Sequence, residues 1–112
     1  MSKQKSLDDV LKYVKQVTEK RNWILHPNDD GTLDLLIEGL TSNFNRIGYF
    51  NCPCRDSEED IKLDRDIVCP CDYAQLDIEK FGRCYCALFF DPNFDFSQPI
   101  EMIPERRPMP SY

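Results

Sequence analysis

Several things are missing from this 112-residue chain, and each absence narrows what it can be. It has no excess of basic charge. Acidic residues outnumber Lys and Arg by 20 to 14, for a formal net charge of -6, which argues against nucleic acid as the main partner because phosphate binding needs clustered cations. It has no long apolar run: Ala87-Leu88-Phe89-Phe90 is far shorter than the roughly 20 residues that span a bilayer, so no membrane insertion is expected. The N-terminal Met1-Ser2-Lys3-Gln4-Lys5 leads into a polar amphipathic segment, not the apolar core of a secretory signal. There is no internal repeat larger than three residues, and no shift in composition that would mark a second domain. Cysteine is absent outside residues 52–86, and there is one histidine, His26. The expectation is one soluble, cytoplasmic domain over 1–112 with a Pro-rich tail at 99–112, large enough to bury a core without disulfide staples.

The helical frame is written in apolar spacing. Leu7, Val10, Leu11, Val14 and Val17 recur on one helical face, with Ser6 as N-cap and Asp8 and Asp9 in the first turn, predicting a helix from about Leu7 to Asn22. Trp23 follows it as a core residue. His26-Pro27-Asn28-Asp29-Asp30-Gly31 breaks the chain, and His26 reads as a surface or capping residue. Leu33, Leu36, Ile37, Leu40, Phe44 and Ile47 define a second helix that Gly48 terminates. Short helices are expected after Ser57-Glu58-Glu59-Asp60 and over Tyr73 to Lys80. Cys84 to Phe90 suits a buried extended segment, and the prolines at 92, 99, 104, 108 and 110 suggest a tail that wraps the surface or frays.

The chemistry lies in three tight pairs: Cys52-Pro53-Cys54, Cys69-Pro70-Cys71 and Cys84-Tyr85-Cys86. In a reducing compartment six thiols point to metal or redox work. Three structural disulfides, with fifteen possible connectivities, are one option, although a bridge inside a Cys-X-Cys unit has poor geometry. A structural zinc site needs four ligands and leaves two thiols over. Four thiolates on an iron-sulfur cluster with two forming a redox disulfide is the third, and spacing does not say which two. The alternative to an enzyme is a non-enzymatic module that binds zinc or a cluster for structure or simple electron transfer.

The order of these pairs, the last running into Ala87-Leu88-Phe89-Phe90-Asp91-Pro92, resembles the catalytic (beta) chain of ferredoxin:thioredoxin reductase, as do Ile37-Glu38-Gly39-Leu40 and Gly48-Tyr49 upstream. The likeness covers most of residues 7–97. It implies a small, mainly α-helical protein folded around a [4Fe–4S] cluster, with Cys52, Cys69, Cys71 and Cys84 as ligands and Cys54 and Cys86 as the active-site disulfide. The family's counterpart of Cys54 attacks the substrate disulfide, and that of Cys86 lies against the cluster. The implied activity passes electrons one at a time from ferredoxin to thioredoxin, a related protein or another disulfide, with or without a small second subunit. Two departures make the chain look closer to archaeal and bacterial ferredoxin:disulfide reductases. The fourteen- and twelve-residue spacers between pairs differ from the plant-type pattern, and Tyr85 replaces a histidine. With an unperturbed pKa of about 10, tyrosine is the poorer proton shuttle; Tyr85 reads as packing over the cluster or as a proton relay. Arg55, Lys62, Lys80 and Arg83, near the pairs in sequence, are candidates for a basic ferredoxin-docking patch.

Overall fold

The computed structural model describes residues 4–27 and 30–108. Helix α1, Leu7–Arg21, starts where Ser6 Oγ accepts the Asp9 amide at 3.1 Å and Asp9 accepts the Ser6 amide at 3.0 Å, a reciprocal cap that satisfies donors the helix itself leaves free. It ends at Asn22, whose left-handed backbone returns its N–H to Thr18. Helix α2, Thr32–Ile47, ends at Gly48, where φ is 88° and glycine avoids the steric cost of a side chain. Val10 and Val14 of α1 pack with Leu36, Ile37 and Leu40 of α2 in the core, whereas Leu7 lies half exposed at the end of its stripe.

Between the helices, β1 (Ile24–Leu25) pairs antiparallel with β2 (Phe89–Phe90), Ile24 opposite Phe90 and Leu25 opposite Phe89. This short ribbon ties the end of the chain's chemistry to the frame. Phe89 and Phe90 are fully buried, and burying each such side chain contributes roughly 1.5–3 kcal/mol. A single turn α3 (Ile61–Asp64) runs into a 3-10 turn (Arg65–Ile67), followed by α4 (Ala74–Phe81), which Gly82 caps. Of the apolar residues in the 61–67 segment only Ile67 is buried; Ile61 and Leu63 are exposed.

Two expectations are corrected here. His26 is not a surface residue. It is buried, its amide donates to Leu88 O, and its ring meets Phe90 edge-on at 5.7 Å, because the ribbon draws it beneath the aromatic segment. The run from Cys84 to Phe90 is not extended throughout: it turns back on itself, with Ala87 at φ 63°, and only its last two residues form a strand. The described part of the tail lies along the protein, where Arg106 pairs with buried Asp77 and Arg107 with Asp66. No helix among the described residues is long and apolar enough to cross a membrane.

Candidate active site

Backbone hydrogen bonds between distant segments gather the cysteines. Cys52 N donates to Ile67 O at 2.8 Å and Cys69 N to Phe50 O at 2.7 Å, flanking an antiparallel bridge between Asn51 and Val68 that sets the first two pairs side by side. Tyr13 reaches from α1, stacks on Phe50 at 4.5 Å and donates its hydroxyl to Cys69 O at 2.7 Å. The third pair sits in a loop closed by Cys84 N to Phe89 O and Ala87 N to Cys84 O, both 3.0 Å. The Phe89 amide also points at Cys84 Sγ, 3.3 Å away.

The Cys52-Pro53-Cys54-Arg55 turn is pinned from two sides. Buried Asn51 donates through Nδ2 to the carbonyls of Cys52 and Arg55, at 3.1 and 3.0 Å. Beneath it α2 carries Gly39, where a Cβ would stand 3.0 Å from Pro53 Cβ, so a larger residue would push the turn away. The turn directs Cys54 outward. Of the six thiols it alone is exposed; Cys71 is half-buried and the other four are buried. All six are free thiols, so Cys54 and Cys86 are not disulfide-bonded in this structure.

Cys52, Cys69, Cys71, Cys84 and Cys86 line one small cavity together with Pro70, Tyr85 and Phe89. The Cys86 Sγ lies 3.9 Å from that of Cys84, and its interactions with the Cys52, Cys54 and Cys84 sulfurs raise its pKa well above that of a free thiol. The same interactions lower their partners: Cys84 falls to about 7, and Cys52, despite its burial, and Cys54 fall below the ordinary thiol range. Burial raises Cys69 and Cys71, and for Cys69 the charges of the three neighbouring sulfurs add to it. Such crowding of thiolates in an apolar space calls for compensating positive charge.

Arg55 supplies some of it. Its Nη1 lies 3.2 Å from Cys71 Sγ and 3.8 Å from Cys52 Sγ, while Nε and Nη2 hold both carboxylate oxygens of Glu105 at 2.6 Å. The guanidinium also sits 4.5 Å from the centre of the Tyr85 ring. Arg83 binds the carbonyls of Cys84, Tyr85 and Glu101. Both arginines are buried and committed inside the molecule, which corrects their assignment to a docking patch; Lys62 and Lys80 are exposed. His26 does not line the cavity, and Tyr85 does. Sequence reading passed over Asn51, Tyr13 and Glu105. A buried amide beside a Cys-Pro-Cys turn is a local signal, but Glu105 lies fifty residues from its partner and carries none.

The donor set suits a polynuclear iron-sulfur centre. Five thiol sulfurs, four of them buried, come from three chain segments to one apolar space, with an amide directed at Cys84 and a guanidinium at Cys71. Among the described residues no three His, Cys, Asp or Glu side chains gather as a single metal ion requires.

A family model described as "Ferredoxin thioredoxin reductase catalytic beta chain" matches residues 1–106. A curated protein from Porphyra purpurea, "Ferredoxin-thioredoxin reductase, catalytic chain", is 29% identical over 104 residues, covering 88% of this chain and 84% of its own.

Proposed function

Since the chain belongs to the ferredoxin thioredoxin reductase catalytic beta chain family and is thereby a ferredoxin-dependent disulfide reductase, we propose that electrons pass one at a time from ferredoxin through a [4Fe–4S] cluster to a Cys54–Cys86 disulfide, and on to thioredoxin or a related disulfide. In this reading Cys52, Cys69, Cys71 and Cys84 hold the cluster. The observation that carries the reading is that Cys54 alone is exposed, while Cys86 lines the cavity with the other four.

When bound, the cluster supplies single-electron storage, which lets a one-electron donor serve a two-electron disulfide. The chain's own residues do the sulfur chemistry. The Cys54 thiolate attacks one sulfur of the substrate disulfide, forming a mixed disulfide and releasing the other half as a thiolate. Cys86 then attacks the Cys54 sulfur and releases the second thiolate, leaving Cys54 and Cys86 oxidised. Two electrons and two protons restore the pair. Arg55 and the Phe89 amide offset ligand charge, and Tyr85 walls the cavity under the Arg55 guanidinium. A small second subunit and the cytoplasm as compartment belong to the same proposal.

The rival, a structural zinc module, needs four sulfurs about 2.3 Å from one point and would leave two of the six thiols without a role. Purification without oxygen, with iron and sulfide analysis and an absorption spectrum, separates the two readings. Cys54→Ser and Cys86→Ser should keep their iron and lose disulfide reduction. A colourless zinc protein would end the reductase reading, and loss of the cluster in either variant would end the four-plus-two division.

A further inference from the structure

We propose that Arg55 and Glu105 of the tail are an opposed pair of charges that sets how readily the thiol-held iron-sulfur group takes an electron: Arg55 favours reduction, and Glu105 restrains it. This role rests on the reductase reading and deepens it, making the tail a part of the redox site.

Geometry is the first observation. The Arg55 guanidinium divides its donors between two sides. Nη1 faces Cys71 Sγ at 3.2 Å and Cys52 Sγ at 3.8 Å, two of the four sulfurs assigned to the group, whereas Nε and Nη2 each hold one oxygen of Glu105 at 2.6 Å. The rings of Tyr85 and Tyr73, centred 4.5 and 5.4 Å from the guanidinium, give it supports that do not depend on the tail. Arg83, the other buried arginine, gives its donors to the carbonyls of Cys84, Tyr85 and Glu101 instead.

Burial is the second, independent observation. The side chain of Arg55 is 3% exposed and that of Glu105 34%. Desolvation offsets much of the attraction in a buried ion pair, so anchoring the tail is by itself a weak reason to bury a cation against sulfur. The inequality also has an electrostatic result. Water screens the carboxylate more than the guanidinium, so the field that reaches the sulfurs is that of a partly compensated cation. An added electron brings negative charge, which such a field favours. Neutralising Glu105 strengthens the field, and removing the Arg55 charge abolishes it. In the reduction step one electron passes from the donor to the group, and neither side chain exchanges a proton or a bond.

Spectroelectrochemical titration of the holoprotein, with iron and sulfide analysis of every variant, tests the pair without relying on turnover. Glu105→Gln, which keeps the side chain's size and an acceptor for Arg55, should shift the one-electron equilibrium about tenfold toward the reduced form, a potential about 59 mV higher. Arg55→Gln should shift it about tenfold the other way, and Arg55→Lys, which keeps the charge, should recover most of that loss. Opposite signs are the mark of charge. A loosened tail that merely admits water would move both glutamine variants in one direction. That result, parental potentials in both, or a lysine variant as low as Arg55→Gln would overturn the pairing. Should Arg55→Gln fail to load iron, Glu105→Gln decides alone, and an unchanged or lower potential overturns the proposal. Each of these failures leaves the reductase reading standing. A parent chain that carries zinc and shows no iron-sulfur spectrum would end that reading, and this role with it.

Discussion

Glu105 grips Arg55 with both carboxylate oxygens, each 2.6 Å from a guanidinium nitrogen, and the same guanidinium rests on the sulfurs of Cys71 and Cys52. The tail thus reaches a residue of the site, fifty positions away in sequence. Arg55→Ala and Glu105→Ala should each release the segment after Phe96, seen as several-fold faster cleavage there in limited proteolysis. Because both changes break one contact, the double variant should be little worse than either single one. Additive effects would mean that the tail is held elsewhere, by Arg106 and Arg107.

A second expectation concerns Gly39, whose missing side chain lets Pro53 lie against α2. Gly39→Val should cost about 1–3 kcal/mol through overpacking and displace the Cys52–Cys54 turn, while Gly39→Ala, meeting Pro53 at 3.0 Å, should cost less. Urea midpoints give the energies, and iron content of the purified proteins reports the turn. A valine variant with parental stability and iron would show that the contact is not tight.

Asp64 gives the fold a pH dependence. It is fully buried, and although burial alone would raise its pKa, hydrogen bonds from Ser57, Tyr49 and the Glu58 amide lower it below the usual carboxylate value. A carboxyl with a lower pKa folded than unfolded stabilises above its unfolded value, about 3.9, and that contribution is lost as pH falls through the folded one. Asp64→Asn should therefore cost about 1–3 kcal/mol at pH 7, with the gap to the parent narrowing toward pH 2.5. A gap that is constant with pH would assign the loss to shape and not to charge.

Thiol accessibility makes the last prediction. Brief iodoacetamide treatment of the reduced, metal-free chain should label Cys54 about tenfold faster than any of the other five, since alkylation follows exposure and thiolate content. Peptide mapping decides it, and preferential labelling of Cys71 would contradict the outward turn.

Much of the frame was legible because it depends on neighbours in sequence. The stripes on α1 and α2, the Ser6 cap and the glycine stop at Gly48 follow from spacing and local chemistry, and all appear. The six cysteines were visible as a unit, and five of them line one cavity. What escaped depends on contacts between remote segments. Nothing near His26 signals that pairing of Ile24 with Phe90 will bury it, and an arginine beside a cysteine pair looks the same whether it faces solvent or a glutamate fifty residues on. Position alone made Arg55 and Arg83 look like docking residues; the tail, which supplies partners to both, turned them inward.

The bridge between Asn51 and Val68 has a consequence for how this scaffold can vary. It closes the spacer between the first two pairs at its base, so the sulfurs of Cys52 and Cys69 take their positions from the backbone on either side of the bridge and not from the length of chain between. Lengthening a closed loop is thermodynamically cheap, about 0.6 kcal/mol for each doubling. Residues added at exposed Asp56 would therefore enlarge the surface beside Cys54 while leaving the buried sulfurs where they are. On the proposed division of the cysteines, the spacer is thus a place where substrate preference can be rewritten independently of the buried thiol cavity.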